Sequence, residues 1–218
     1  MATELDPSEQ LDQIEALCQK RRVPIEHVSR SRLDRVAATE SHQGVLAKAP
    51  PLVALDLDEL LDPERRGSPF LLVCDGLTDP HNLGSLLRSA ESAGVTGIVL
   101  PRHRSVRISP TVAKVAAGAI EHLRFALVPG IPAALDRLGK AGVLTVGLAG
   151  EVRTSIYDLD LSASAVALAV GSEDKGLAAL SRKRCDVMAS IPQAGEIESL
   201  NASVAGAVAL FEAARQRR

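Results

Sequence analysis

The chain has 218 residues, 46% hydrophobic and 24% charged, which suits one substantial soluble domain with a small appendage. Aromatic residues make up 2%, with no Trp, so the core must be aliphatic and base stacking on aromatic platforms is not expected. The formal net charge of −2 lacks the basic surplus common in nucleic-acid binders, although basic residues cluster at Lys20–Arg22, Arg30–Arg35, Arg102–Arg107, Arg182–Arg184 and Arg215–Arg218. Cys18, Cys74 and Cys185 match no zinc-ligand or disulfide spacing, and no signal segment or apolar run of ~18 residues occurs. These features predict a cytoplasmic protein with reduced thiols, no metal site and no membrane segment.

Taken in chain order, Leu11, Ile14, Ala16 and Leu17 predict a helix over Leu11–Lys20. Short strands at Val23–Val28 and Gly44–Ala47 are expected around a helix at Ser31–Ala38, and Pro50–Pro51 closes this unit. So short a unit buries little core by itself, so residues 1–50 are expected to form a partial α/β appendage, joined through a linker over 51–68 to a domain over 69–218. From Pro69 the pattern becomes regular. Phe70–Cys74 is an apolar strand, Pro80–Ala93 a helix and Gly97–Leu100 a second strand. Asp79, Pro80 and Gly94 supply the helix start and stop signals, while Leu83, Leu86, Leu87 and Ala90 form its apolar face. Asn82, Ser85, Arg88 and Ser89 fall on the more polar side. Helices at Pro110–Gly118, Pro132–Ala141, Leu177–Arg184 and Leu200–Arg217 then alternate with strands at Phe125–Val128, Leu144–Gly147, Ala165–Val170 and Val187–Ile191. Such alternation predicts an α/β fold with a mostly parallel sheet and helices on both faces.

In such a sheet ligands bind outside the carboxyl ends of the strands. Three loops there combine glycines with polar residues: Asp75–Gly84, Gly171–Leu177 and Ile191–Asn201. None is a phosphate-binding loop of the G-x-x-x-x-G-K-[ST] type, and none carries G-x-G-x-x-G, which removes the main support for nucleotide hydrolysis and for hydride transfer. No nucleophile dyad or metal cluster stands out.

Together the three loops resemble the three motifs of the SpoU (TrmH) family of RNA ribose methyltransferases in the SPOUT superfamily, a likeness covering about residues 70–217. Asp79-Pro-His-Asn82-Leu-Gly84 followed by Arg88 is similar to the first motif, Gly171-Ser-Glu173-Asp-Lys-Gly176 to the second and Ser199-Leu-Asn201 to the third. Ser109–His122 is most similar to the branch acting on a guanosine of large-subunit (23S) ribosomal RNA. The resemblance implies that S-adenosylmethionine is the cofactor and that Asn82, Arg88, Glu173, Ser199 and Asn201 are the catalytic residues. It also implies cofactor contacts from Gly171, Glu173, Gly176, Ile191, Gln193, Ser199 and Leu200. A carboxyl-terminal trefoil knot and a homodimer acting on RNA are further expectations. Gln193 and Ala202 depart from the common Met and Val. The segment His42-Gln-Gly44-Val resembles the end of the ribosomal-protein-like RNA-binding domain that this branch carries in longer form.

Each residue also has an ordinary explanation. Arg88 suits the surface of an amphipathic helix, Asn82 a first helical turn, Ser199 or Asn201 an N-cap, Glu173 a solvated loop, and the glycines turns with positive φ. Alternative functions are a ribose methyltransferase acting on transfer RNA or an antibiotic site of the ribosome, and a catalytically silent RNA-binding or ribosome-assembly module.

Overall fold

Strand β1 (Phe70–Asp75) is apolar from Phe70 to Cys74 because it lies inside a parallel sheet whose two faces are both covered. A computed structural model of the chain describes residues 1–37, 42–62, 68–103, 105–162, 165–196 and 199–218. Ala38 of the predicted second helix, positions 63–67 of the expected linker, Arg104 of a basic cluster and positions 197–198 of the third loop lie outside the described residues. The chain divides into two units, Met1–Pro51 and Leu52–Arg218.

In the first unit, helices α1 (Glu9–Arg21) and α2 (Arg30–Val36) form as expected to within a few residues. The strands at Val23–Val28 and Gly44–Ala47 do not: in the described residues there is only a single parallel bridge between Ala2 and Val28, with Ala2 also donating to the Gly44 carbonyl at 2.8 Å. Pro24 removes one ladder donor, and the second segment is too short to build a ladder. Among the described residues of this unit the buried apolar side chains are Ala2 and Leu33, consistent with a unit too small for a core of its own.

Among the described residues the second unit holds six parallel strands in the order β3-β2-β1-β5-β4-β6. These are β2 (Gly97–Pro101), β3 (Phe125–Val128), β4 (Leu144–Leu148), β5 (Val166–Gly171) and β6 (Val187–Ala189) beside β1. Alternate residues of each strand point to opposite faces. Leu72, Cys74, Leu168 and Val170 pack with helices α3 (Pro80–Ser92), α4 (Pro110–Ala116) and α7 (Ala202–Gln216). Leu71, Val73, Ala167 and Ala169 pack on the other face with α5 (Ile131–Lys140). The expected linker contributes to that second face: Leu57 and Leu60, in a short 3-10 turn at Leu57–Leu60, are buried, and Leu55 bridges Ala126. Apolar residues recurring at this spacing draw the segment onto the sheet rather than leaving it solvated. Helix α6 is confined to Ala179–Arg182, shorter than its pattern predicted.

Helix α3 starts as its sequence dictates, with the Asp79 side chain accepting from His81 N at 2.9 Å and Pro80 in the first turn. Its Gly84 sets the distance to α4, since a Cβ there would stand 2.7 Å from Val115 Cβ and 2.9 Å from the Val112 carbonyl oxygen. A backbone carbonyl cannot rotate away as a side chain can, so any larger residue must push the helices apart. Gly84→Ala should therefore lower the unfolding free energy by ~1–3 kcal/mol in urea titration. A wild-type midpoint would show that the two helices separate without cost.

Candidate active site

Strand β5 ends at Gly171, where the backbone doubles back. Ser172 and Gly176 exchange N–H···O bonds of 3.1 and 2.9 Å, and a Cβ on Gly171 would lie 2.0 Å from the Gly176 carbonyl carbon. Only glycine fits that approach, and Gly176 itself adopts a φ of 62°. The Asp75 carboxylate at the end of β1 accepts from Ala178 N at 3.0 Å, stitching the first and second loops together.

The third loop leaves β6 at the sheet edge and returns to place α7 against α3 and β5. Between it, the β5 loop and the end of β4 lies a cleft of about 550 Å³, within the range of small-molecule sites. Gly171, Glu173, Gly176, Ile191, Gln193, Ser199 and Leu200, all expected at a cofactor site, line this cleft. Leu148, Val170, Ala189, Ile191 and Leu200 give it an apolar wall, while Glu173, Asp174, Lys175, Gln193 and Ser199 supply polar groups. An amphiphilic ligand with a flat apolar part and a charged part suits this lining.

Asn82, expected on the polar side of its helix, is instead buried at 9% exposure, and its amide joins the three loops. Its Nδ2 donates to Glu173 Oε1 at 2.7 Å, and its Oδ1 accepts from Asn201 Nδ2 at 2.9 Å. Asn201 Oδ1 caps α7, accepting from Ser203 N and Val204 N at 2.9 and 3.3 Å, and also accepts from Ser203 Oγ at 2.7 Å. Capping and the inter-loop contact thus use different atoms of one side chain. Ser199 lies on the cleft wall and is not the cap. Arg88 stands apart: it is exposed, outside the cleft lining, and ~9 Å along the α3 axis from Asn82.

Residues unsuspected from sequence complete the wall. Gly150 and Glu151 follow β4, and Arg182 of α6 pairs with the Glu151 carboxylate. That carboxyl is held below the usual range by its own backbone N–H and then by Arg182. The loop after β4 sits at the same carboxyl edge as the other three, a signal the sequence did contain. Ser203 was also missed because small residues in a first helical turn usually read as caps.

The amino-terminal unit and the sheet domain each match a family model, SpoU rRNA methylase over residues 69–211 and RNA 2′-O ribose methyltransferase substrate binding over residues 2–53. The chain belongs to the SpoU rRNA methylase family. Among its relatives, the 23S rRNA (guanosine-2′-O-)-methyltransferase RlmB of Ralstonia nicotianae is 49% identical over 85% of this chain and 74% of its own length. The protein of the same name from Shewanella oneidensis is 46% identical over 89% of this chain and 79% of its own. The SpoU methyltransferase AviRb from Streptomyces viridochromogenes, solved in complex with AdoMet, superposes with a TM-score of 0.78 at 25% identity, covering 99% of this chain and 81% of that one.

In this SpoU family member the Cys74 thiol, next to Asp75 at the end of β1, is pushed up to about 12 by burial, with Asp75 adding to the shift. A buried thiol with its pKa raised this way stays protonated near neutral pH, which disfavours Cys74 as a nucleophile. Iodoacetamide at that pH should leave Cys74 unmodified in the folded protein and label it in denaturant, as read by peptide mass mapping. Rapid labelling of the folded protein would contradict its burial.

Proposed function

We infer that the protein transfers the methyl group of S-adenosylmethionine to the ribose 2′-hydroxyl of a guanosine in 23S ribosomal RNA. The observation that carries this reading is the joining of the three family motifs, the second and third lining one cleft and the first tied to both through the Asn82 amide, in a chain whose relatives are named 23S rRNA (guanosine-2′-O-)-methyltransferases. Those relatives favour the ribosomal guanosine over transfer RNA or an antibiotic site.

The apolar wall of Leu148, Val170, Ile191 and Leu200 would hold the adenosine, and the polar side around Glu173 and Ser199 the methionine moiety. When bound, the cofactor supplies a methyl group made electrophilic by its sulfonium. The protein has to orient the hydroxyl and stabilise the negative charge that develops on its oxygen as its proton passes to solvent water. Arg88 fits the second task as a hydrogen-bond donor, because a guanidinium stays protonated in proteins and does not serve as a base. Asn82 and Asn201 fix Glu173 and the start of α7 in place, so their role is positioning.

A homodimer accounts for Arg88 lying outside its own chain's cleft, since a second copy could bring that arginine to the reacting ribose. Val204 and Phe211, exposed at 48% and 47% on α7, give such a contact an apolar centre. The carboxyl-terminal knot belongs to the same reading. It is supported by β5 lying between β1 and β4, and by the return of the chain from β6 to α3. The amino-terminal unit takes part in holding the RNA, as its family match suggests. No helix among the described residues is long and apolar enough to cross a membrane. A cytoplasmic location fits a ribosomal substrate.

Incubation with radiolabelled methyl donor and unmodified large-subunit RNA should give alkali-resistant label at one guanosine. Arg88→Lys should retain RNA affinity while turnover falls ~10²–10³-fold. Wild-type turnover in that variant would remove Arg88 from the mechanism, and a wild-type protein unable to bind the donor would end the enzyme reading.

A further inference from the structure

We propose that the loop after β2 and helix α4 form a phosphate-gripping track for the RNA strand entering the active site, carried by Arg102, Arg107 and Lys114. This rests on the methyltransferase reading and assigns RNA contacts to the catalytic unit itself. The charge pattern is local: between residues 80 and 120 the sequence has Arg88, Arg102, Arg104, Arg107 and Lys114 against Glu91 alone, in a chain of net charge −2. Arg102, His103, Arg107 and Lys114 are exposed.

Several basic residues elsewhere in the catalytic unit are offset by carboxylates. Arg137 pairs with Asp58, Arg184 and Lys140 with Asp136, Arg182 with Glu151, and Arg215 with Glu212. Arg88, Arg102 and Arg107 form no ion pair among the described residues, so their field is not cancelled locally.

The loop is also held in place. Val106 N and Ser105 Oγ both donate to the Leu77 carbonyl, at 2.8 and 3.0 Å, which fixes it to the first-motif loop between β1 and Asn82. Arg102 Nε donates to the Leu127 carbonyl, and Ser109 caps α4 through Val112 N. Parallel strands put this loop at the same edge of the sheet as the cleft. No Phe, Tyr or Trp occurs between residues 80 and 120, so the track offers charge and hydrogen bonds without stacking. Phosphodiester oxygens are the groups such a surface recognises, independent of base sequence.

The test uses the full chain carrying Arg107→Ala and Lys114→Ala, with 23S RNA and a sequence-unrelated RNA of equal length as probes. Binding to both RNAs should weaken about tenfold, the slope of log affinity against log salt should fall by ~0.7–0.9 per lost contact, and KM for RNA should rise with kcat retained. Donor affinity by calorimetry should stay at the wild-type value, and Arg107→Lys with Lys114→Arg should restore RNA binding. An unchanged salt slope, or equal loss in the charge-conserving variant, would overturn the track alone. A wild-type protein that binds donor but no RNA would overturn the substrate reading and the track with it.

Discussion

The amide of Asn82 is the constraint on which the site depends, because it has two partners and only one orientation satisfies both. A carboxylate only accepts, so Glu173 Oε1 must take the Nδ2 hydrogen, leaving Oδ1 to accept from Asn201. Asn201 has then spent its own nitrogen, and its oxygen is left to cap α7. Donors therefore run in one direction, from the first turn of α7 through two amides to the Glu173 carboxylate, an arrangement in which each bond polarises the next. Residues 91 and 119 positions from Asn82 along the chain reach one register with it, and replacing Glu173 or Asn201 leaves the buried Asn82 amide with a group to satisfy.

The sheet makes that meeting possible. Because β5 lies between β1 and β4, the loops that follow all three strands emerge side by side at the carboxyl edge. The small residues along these strands matter for the same reason. At Gly147 a Cβ would stand 2.6 Å from Met188 Sδ, and on α7 a Cβ at Gly206 would stand 2.5 Å from Leu86 Cδ1. Close approach of β6 to β4, and of α7 to α3, brings the third loop over the ends of the central strands. An aliphatic core nearly free of aromatic rings suits such short separations.

Much of this was legible from sequence because its signals are local. Apolar runs of five or six residues gave the central strands, and Asp79-Pro80 with Gly94 gave the limits of α3. The three glycine-rich loops were recognisable as a set. What was not legible depends on tertiary contacts. Val23–Val28 has strand composition, but an isolated bridge to Ala2 is all the ladder that forms. Leu57 and Leu60 lie in a Pro- and Asp-rich stretch that looks like a linker until the sheet offers them a face. Asn82 falls on the polar side of a helical wheel, yet that side meets the Glu173 loop and Asn201, so a polar residue becomes buried without violating the pattern. Glu151 and Arg182 are ordinary surface residues in sequence and become wall residues only because β4 ends beside β5.

Arg88 shows how far geometry and motif can diverge within one chain. Its spacing from Asn82 is fixed by a rigid helix: six residues at ~100° each place the two side chains about 120° apart around the axis, and Arg88 lies outside the cleft lining. If Arg88 acts on the ribose held at the cleft, either the RNA wraps over α3 to reach it or a second protomer supplies it. The first route requires the nucleic acid to lie across a surface that carries the exposed Arg88, Arg102 and Arg107. In the second, the apolar residues Val204 and Phe211 become buried. The two are compatible, since a strand crossing a dimer seam would meet the arginine of one copy and the cleft of the other. An exposed guanidinium at that seam would also remain hydrated until RNA arrived, and its strongest contacts would then form when substrate closed the site.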